Sequence, residues 1–329
     1  MLRSFDHHGG LLHAVKIADS GEVSELGTAD AGALACQNGE ILWLHMCATH
    51  PETRTFLAQN TELDEIVIAN LLAEETRPRV LVKGQTMLAI LRAMNLAEGE
   101  DPEDMISLRI WMDDRHIITT RLRDTRSIED MKAMIAEGRP PGSVGQFLTM
   151  ITDRVYARME PFIEKQDDTV SAMEEELARN DVDTVSDRLS EVRLQNAIYR
   201  RFIAPQKLVL EGMLASELAW LNDEDRAHVA ESLNRVTRYV ETLNDVRDRL
   251  AIINDETARR HDKALNSTTY IFTAAATIFL PLSFITGLLG VNIGGIPGVQ
   301  YGLAFWILIA ICLVIAALQV AYFWKKGWF

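Results

Sequence analysis

The chain has 329 residues, with 33 lysines and arginines against 47 aspartates and glutamates, for a formal charge of −14. That acidic surplus argues against nucleic acid as a partner and suits a protein that gathers cations. Cys36, Cys47 and Cys312 form no CxxC pair, so neither a disulfide framework nor a zinc finger is indicated.

The first ten residues are polar and read as a flexible tail rather than a secretory signal, with His7, His8 and the nearby His13 as loose metal contacts at most. LLHAVKI (11–17) and EILWLHMC (40–47) read as strands. In WLHMCATH, the set His45, Cys47 and His50 has a spacing attractive to zinc, because two residues apart on a strand share a face. Packing in a central strand competes with that reading. PETRTFLAQN (51–60), opened by Pro51, and ELDEIVIANLLAEE (62–75) read as short helices. Two hairpins follow, one turning at Lys83-Gly84-Gln85 and one at Asp113-Asp114. Strands and helices in this order predict an α/β/α cytosolic domain over 1–142 on a mostly antiparallel sheet.

EGRPPGSVG (137–145) is a punctuated linker, and the texture then turns charged and helical. Residues 143–267 are expected to form a region of long helices. In its last part Val229, Leu233, Val236, Val240, Leu243 and Leu250 keep 3–4 spacing, the seam of a helix packed on others, with Asn222 or Asp223 as its cap.

Two charge-free runs close the chain, Thr268–Leu289 and Leu303–Trp324, each 22 residues long. At the helical rise each spans roughly 33 Å, enough to cross the hydrocarbon core of a bilayer. Arg259, Arg260 and Lys263 precede the first run and Lys325 and Lys326 follow the second, whereas the hairpin 290–302 carries no charge. The positive-inside rule then places both termini, including the tail 325–329, in the cytoplasm and the hairpin outside. An unbroken helix from about residue 224 to 289 would be roughly 100 Å long.

Two spans cannot enclose a polar path, so transport requires an oligomer with one span of each subunit at the axis. The first span is the better candidate, with Thr269, Thr273, Thr277 and Ser283, whereas in the second only Gln319 is strongly polar. Pro281 has no N–H and is expected to leave the Thr277 carbonyl open to a pore. Before the membrane, Asp248, Asp255 and Asp262 recur every seven residues, and Asn266 follows one turn later. In a symmetric ring these become circles of carboxylates that concentrate cations.

Gly290-Val291-Asn292, directly after the first span of a C-terminal pair, resembles the Gly-Met-Asn signature of the CorA family of metal-ion transporters. TGLLGVNIGGIPG (286–298), ETRPRV (75–80) and YRRFIAPQ (199–206) are similar to its zinc-transporting ZntB branch. The resemblance covers essentially the whole chain. It implies a funnel-shaped homopentamer in a bacterial inner membrane, with Asn292 at the outer mouth and Gly290 letting backbones approach there. It also implies that Asn266, Thr269, Thr273, Ala276, Leu280 and Ser283 lie near the axis, with Leu280 as an apolar constriction. The implied cargo is Zn²⁺ taken up with protons, with Ni²⁺, Co²⁺ and Cd²⁺ as further candidates and no bound cofactor. Magnesium-type members carry an acid in the loop after the signature, and residues 293–300 hold none. No titratable group in the first span explains the proton coupling, which leaves Asp255, Asp262 and His261 as the nearest candidates. The rivals are a passive Mg²⁺, Co²⁺ or Ni²⁺ channel and a membrane-anchored scaffold or sensor. An enzyme is not expected, because no P-loop, GxSxG or HExxH occurs.

Overall fold

The computed structural model describes residues 10–26, 36, 39–291, 296, 298 and 300–326. Seven strands form one sheet: β1 (Leu11–Ile17), β2 (Val23–Glu25), β3 (Ile41–Cys47), β4 (Arg79–Lys83), β5 (Thr86–Ala93), β6 (Ile106–Met112) and β7 (His116–Arg121). The helices are α1 (Pro51–Asn60), α2 (Glu65–Leu72), α3 (Arg126–Ala136), α4 (Val144–Ala157), α5 (Glu160–Ala178), α6 (Val182–Leu214), α7 (Asp223–Leu289) and α8 (Ala304–Lys325). The strand order is β2-β1-β3-β7-β6-β5-β4, and every pairing is antiparallel except β3 with β7. Both expected hairpins are present, and β2 and α3 are additions to the expected elements.

β3 is buried along nearly its whole length because both faces of the sheet are covered. On one face Trp43, Ala89, Leu91, Ile110 and Ile117 pack with Phe147 and Ile151 of α4, Ile203 and Leu210 of α6, and Val229 and Val236 of α7. On the other face Leu42, Leu44 and Met46 meet Leu57 of α1 and Ile68 and Leu71 of α2. The α/β/α layering is therefore as expected. A third core joins Val170 and Met173 of α5, Val185 and Val192 of α6, and Val246 and Leu250 of α7.

The change of texture at 142/143 does not separate two compact units. α4 and α6 complete the core of the sheet, and the chain divides instead into 1–254 and 255–329. The helical stretch 146–214 comprises α4, α5 and α6. α5 opens with proline in its first turn, and between α5 and α6 Asn180 takes φ 70°, a left-handed conformation that asparagine tolerates better than most residues. Asp181 then caps α6 by accepting from the Thr184 N–H.

Two of the motifs that carry the family resemblance meet at one side chain. The Arg92 guanidinium donates to the carbonyls of Met105 and Thr76, its backbone N–H donates to Gln206 Oε1 at 3.1 Å, and it lies 4.6 Å over the Phe202 ring. The Thr76 hydroxyl donates to Ser107 Oγ at 2.7 Å, and the fully buried Arg109 holds the carbonyls of Ala73 and Glu74. ETRPRV and YRRFIAPQ are thus the two halves of one clamp on the β5–β6 hairpin.

The start of α7 is closely fixed. Asn222 Oδ1 accepts from the Asp225 N–H and Asp225 Oδ2 accepts from the Asn222 N–H, a reciprocal capping box. Arg226 donates to the carbonyls of Leu214, Ser216 and Leu218, which close the α6–α7 connection. Gly145 in the first turn of α4 is seated against this cap. A Cβ there would overlap the Asp225 carboxylate and lie 3.0 Å from the Trp220 carbonyl. Gly145→Ala should therefore cost about 1–3 kcal/mol, seen as a lowered melting temperature of the full-length protein in detergent. Gly142→Ala, whose Cβ meets only the Gln146 side chain, should melt close to wild type.

Candidate functional site: the uncovered face of the first membrane helix

Residues 255–329 contain the second part of α7 and all of α8, and both helices are long and apolar enough to cross a membrane. Along α7, Ala274 is buried and Ile278, Pro281, Leu282 and Ile285 are half-buried. They lie on one side of the helix. The inner positions of α8 are Leu308, Cys312, Ile315, Gln319 and Phe323, again at 3–4 spacing.

One polar bond joins the two helices. Pro281 lies inside α7 and cannot donate to the Thr277 carbonyl four residues earlier. Gln319 of α8 supplies the missing donor, its Nε2 lying 3.2 Å from that oxygen. The expectation that this carbonyl would be open to a pore is therefore corrected: the strongly polar residue of the second span satisfies it. An unsatisfied carbonyl costs several kcal/mol in a bilayer, so satisfaction by a neighbouring helix is the usual outcome.

The opposite side of α7 is uncovered in the single chain. Asn266, Thr269, Thr273, Ala276, Leu280 and Ser283 are all exposed, Leu280 to 75%. They alternate at spacings of three and four, and the same seam continues to Gly287 and Gly290 and back through Arg259 to Asp255 and Asp262, all exposed. On the same helix within the first unit, Asp248 is exposed and paired with Arg247 at 2.6 Å. Arg259 is a cation in this seam that the acidic reading passed over; it pairs with Glu256 at 2.7 Å.

The hydroxyl protons of four threonines in this span, Thr268, Thr273, Thr277 and Thr286, are committed to backbone carbonyls. Thr273 Oγ1 donates to the Thr269 carbonyl at 2.8 Å and Thr277 Oγ1 to the Thr273 carbonyl at 2.7 Å. Such back-bonding leaves the hydroxyl oxygens as acceptors, the polarity a hydrated cation requires.

α7 ends at Leu289, and the Gly290 N–H donates to the Thr286 carbonyl at 2.9 Å. A Cβ on Gly290 would lie 2.9 Å from that same oxygen, closer than side chains tolerate, so the signature glycine is sterically required there. Val291 is exposed; Asn292, Gly294 and Gly295 lie outside the described residues, as do His7 and His8.

The strand-borne metal set does not converge. His45 is fully buried with Nδ1 2.9 Å from Thr119 Oγ1, Cys47 Sγ lies 3.2 Å from Thr49 Oγ1, and His50 caps α1 by accepting from the Glu52 N–H. Among the described residues no three His, Cys, Asp or Glu side chains are grouped to hold a metal ion. His13 is no loose contact: it lies in β1 with its ring edge-on to Trp43 at 5.2 Å.

A family described as CorA-like Mg²⁺ transporter protein matches residues 38–326. The chain belongs to the CorA-like transporter family. It is 32% identical to the divalent cation transporter CmaX of Pseudomonas aeruginosa over 96% of this chain and 95% of that one. It is equally 32% identical to the zinc transport protein ZntB of Yersinia enterocolitica over 87% and 86%. The structure of full-length CmaX superposes with a TM-score of 0.85 at 31% identity, covering 99% and 100% of the two chains. The CorA magnesium transporter of Methanocaldococcus jannaschii, at 18% identity and a TM-score of 0.78, shows that the fold extends to that more distant sequence.

The bond between α7 and α8 can be tested by a double-mutant cycle. Gln319→Leu should destabilise the detergent-solubilised protein by about 1 kcal/mol, within the range measured for interhelical hydrogen bonds in membranes. In a Pro281→Ala background the new N–H satisfies Thr277, and the cost of Gln319→Leu should largely disappear.

Proposed function

We propose that this chain is a zinc transporter of a bacterial inner membrane, taking up Zn²⁺ together with protons through a homopentamer whose axis is lined by α7. The observation that carries the reading is the uncovered face of α7, a seam of small and hydroxyl side chains opposite the side that α8 occupies. Copies of the chain arranged around that seam enclose a path whose walls offer acceptor oxygens from Thr269, Thr273 and Ser283, a small gap at Ala276 and an apolar constriction at Leu280. Below it Asp248, Asp255 and Asp262 become stacked carboxylate rings, and above it Gly290, Val291 and Asn292 form the mouth.

Chemistry favours zinc over magnesium at that mouth. Residues 293–300 carry no carboxylate to hold a strongly hydrated Mg²⁺, and Asn292 offers only neutral amide oxygens. The described part of the α7 pathway face holds no imidazole or thiolate, so the ion crosses with most of its water retained. Proton coupling then falls to Asp255, Asp262 and His261 outside the bilayer. Both termini face the cytoplasm in this arrangement. Relatives named for zinc transport support the cargo, and the equally similar protein named a divalent cation transporter supports a second reading, a passive channel for several divalent ions.

Uptake into proteoliposomes separates the two. With an acidic exterior, Zn²⁺ influx should exceed influx without a gradient, and Asn292→Ala should reduce it at least about tenfold, the scale of one removed polar ligand contact. Influx indifferent to the gradient, with Mg²⁺ competing equally, would establish the passive channel. No influx of any divalent ion would leave only a membrane-anchored scaffold.

A further inference from the structure

The sheet carries a pair of histidines that neither the pathway nor the family resemblance uses. His13 of β1 and His45 of β3 are directly opposite in the antiparallel register, and both flank the Trp43 ring, at 5.2 and 6.3 Å between centroids. Residues so placed have Cβ atoms roughly 5 Å apart on one face, close enough for two imidazoles to share one ion. Nε2 of each ring is buried and has no hydrogen-bond partner.

The hydrogen bonds around His45 settle which tautomer it adopts. Thr119 Oγ1 has three polar neighbours: Trp43 Nε1 at 2.9 Å, His45 Nδ1 at 2.9 Å and the Leu44 carbonyl at 3.3 Å. The Trp43 N–H donates to the hydroxyl, and the hydroxyl proton goes to the carbonyl. All three bonds form together only if His45 Nδ1 carries the proton and donates to Oγ1. Nε2 is then a bare lone pair on a ring locked by its other nitrogen, which is how metal-binding imidazoles are held. A structural histidine in a core would place that atom against a donor, and this one does not.

Three charged groups reach the pair. Lys132 acts on both rings, Glu129 on His13 and Arg121 on His45. Burial holds both histidines neutral, with His13 pushed down to about 4 and Lys132 adding to the effect. Each cation is already paired, Lys132 with Glu129 at 3.0 Å and Arg121 with Asp124. Glu129 is the carboxylate whose charge reaches His13, and Lys132 holds it.

We propose that His13 Nε2 and His45 Nε2 bind one divalent transition ion of the imidazole-preferring class, Zn²⁺, Co²⁺ or Ni²⁺, at a site in the sheet separate from the α7 pathway, with water completing its coordination. The site is independent of the transport reading and would let the soluble part of the chain respond to the metal itself.

Zinc titration calorimetry on the full-length protein in detergent tests this with two variants. His13→Gln should remove one zinc ion per chain from the isotherm, or weaken it at least about tenfold, since even the loss of a supporting contact costs that much. Lys132→Met keeps both rings and removes the cation that acts on both, so it should tighten the same site several-fold. A purely structural role for the histidines predicts isotherms identical to wild type in both variants, and that result would overturn the proposal. If His13→Gln elutes as aggregate, Lys132→Met decides alone: tighter binding supports the site, and unchanged or weaker binding refutes it.

Discussion

The membrane part of this chain depends on a hydrogen bond that a proline makes necessary. Pro281 withdraws a donor from the middle of an apolar helix, where no water can replace it, and the Thr277 carbonyl must be satisfied from outside. Gln319 reaches it from α8. That bond places α8 on one side of α7 and so determines which side is left over. A polar side chain in the second span, which on its own would disfavour insertion, is explained by the defect it repairs. The face that remains carries small residues, hydroxyls and two glycines.

The same helix is rooted in the first unit by a different kind of interaction. Its capping box, the Arg226 guanidinium spread over three carbonyls and the buried seam of Val229, Val236, Leu243, Val246 and Leu250 hold it to α4, α5 and α6. Arg249 adds a charged clasp, donating to Asp167 at 2.6 Å and to Glu174 at 2.7 Å; both carboxylates lie on α5, and hydrogen bonding to Arg249 holds Glu174 below the usual carboxylate range. From Asp223 to Leu289 the backbone is a single helix, so one element carries both the packed seam of the first unit and the uncovered seam of the second.

Much of this was legible because it rests on periodicity and local chemistry. Alternation and turn residues located β1, β3 and both hairpins, and the 3–4 spacing from Val229 to Leu250 located the buried side of α7. The apolar runs matched the end of α7 and both ends of α8 to within a residue. What was not legible depends on contacts distant in sequence. Nothing near Thr277 announces that its carbonyl is satisfied 42 residues later, although a lone glutamine in an aliphatic span opposite a proline is a signal that could have been used. His13 read only as a loose metal contact because its significance comes from His45, across a strand pairing. The change from mixed to helical texture at 142/143 marks a change of element, and α4 and α6 still build the core of the sheet. β2, three residues long, carries too little pattern to detect.

The central claim, that the uncovered seam of α7 faces other copies of the chain around a common axis, is tested most directly by thiol cross-linking in native membranes. In a background with Cys36, Cys47 and Cys312 replaced by serine, single cysteines at Ala276 and Leu280 on the seam are compared with one at Ile278 on the side of α8. A short bifunctional thiol reagent should join subunits at 276 and 280 and leave 278 monomeric. Cross-links at 278 with none at 276 and 280 would contradict the account, because the copies would then meet through the face assigned to α8.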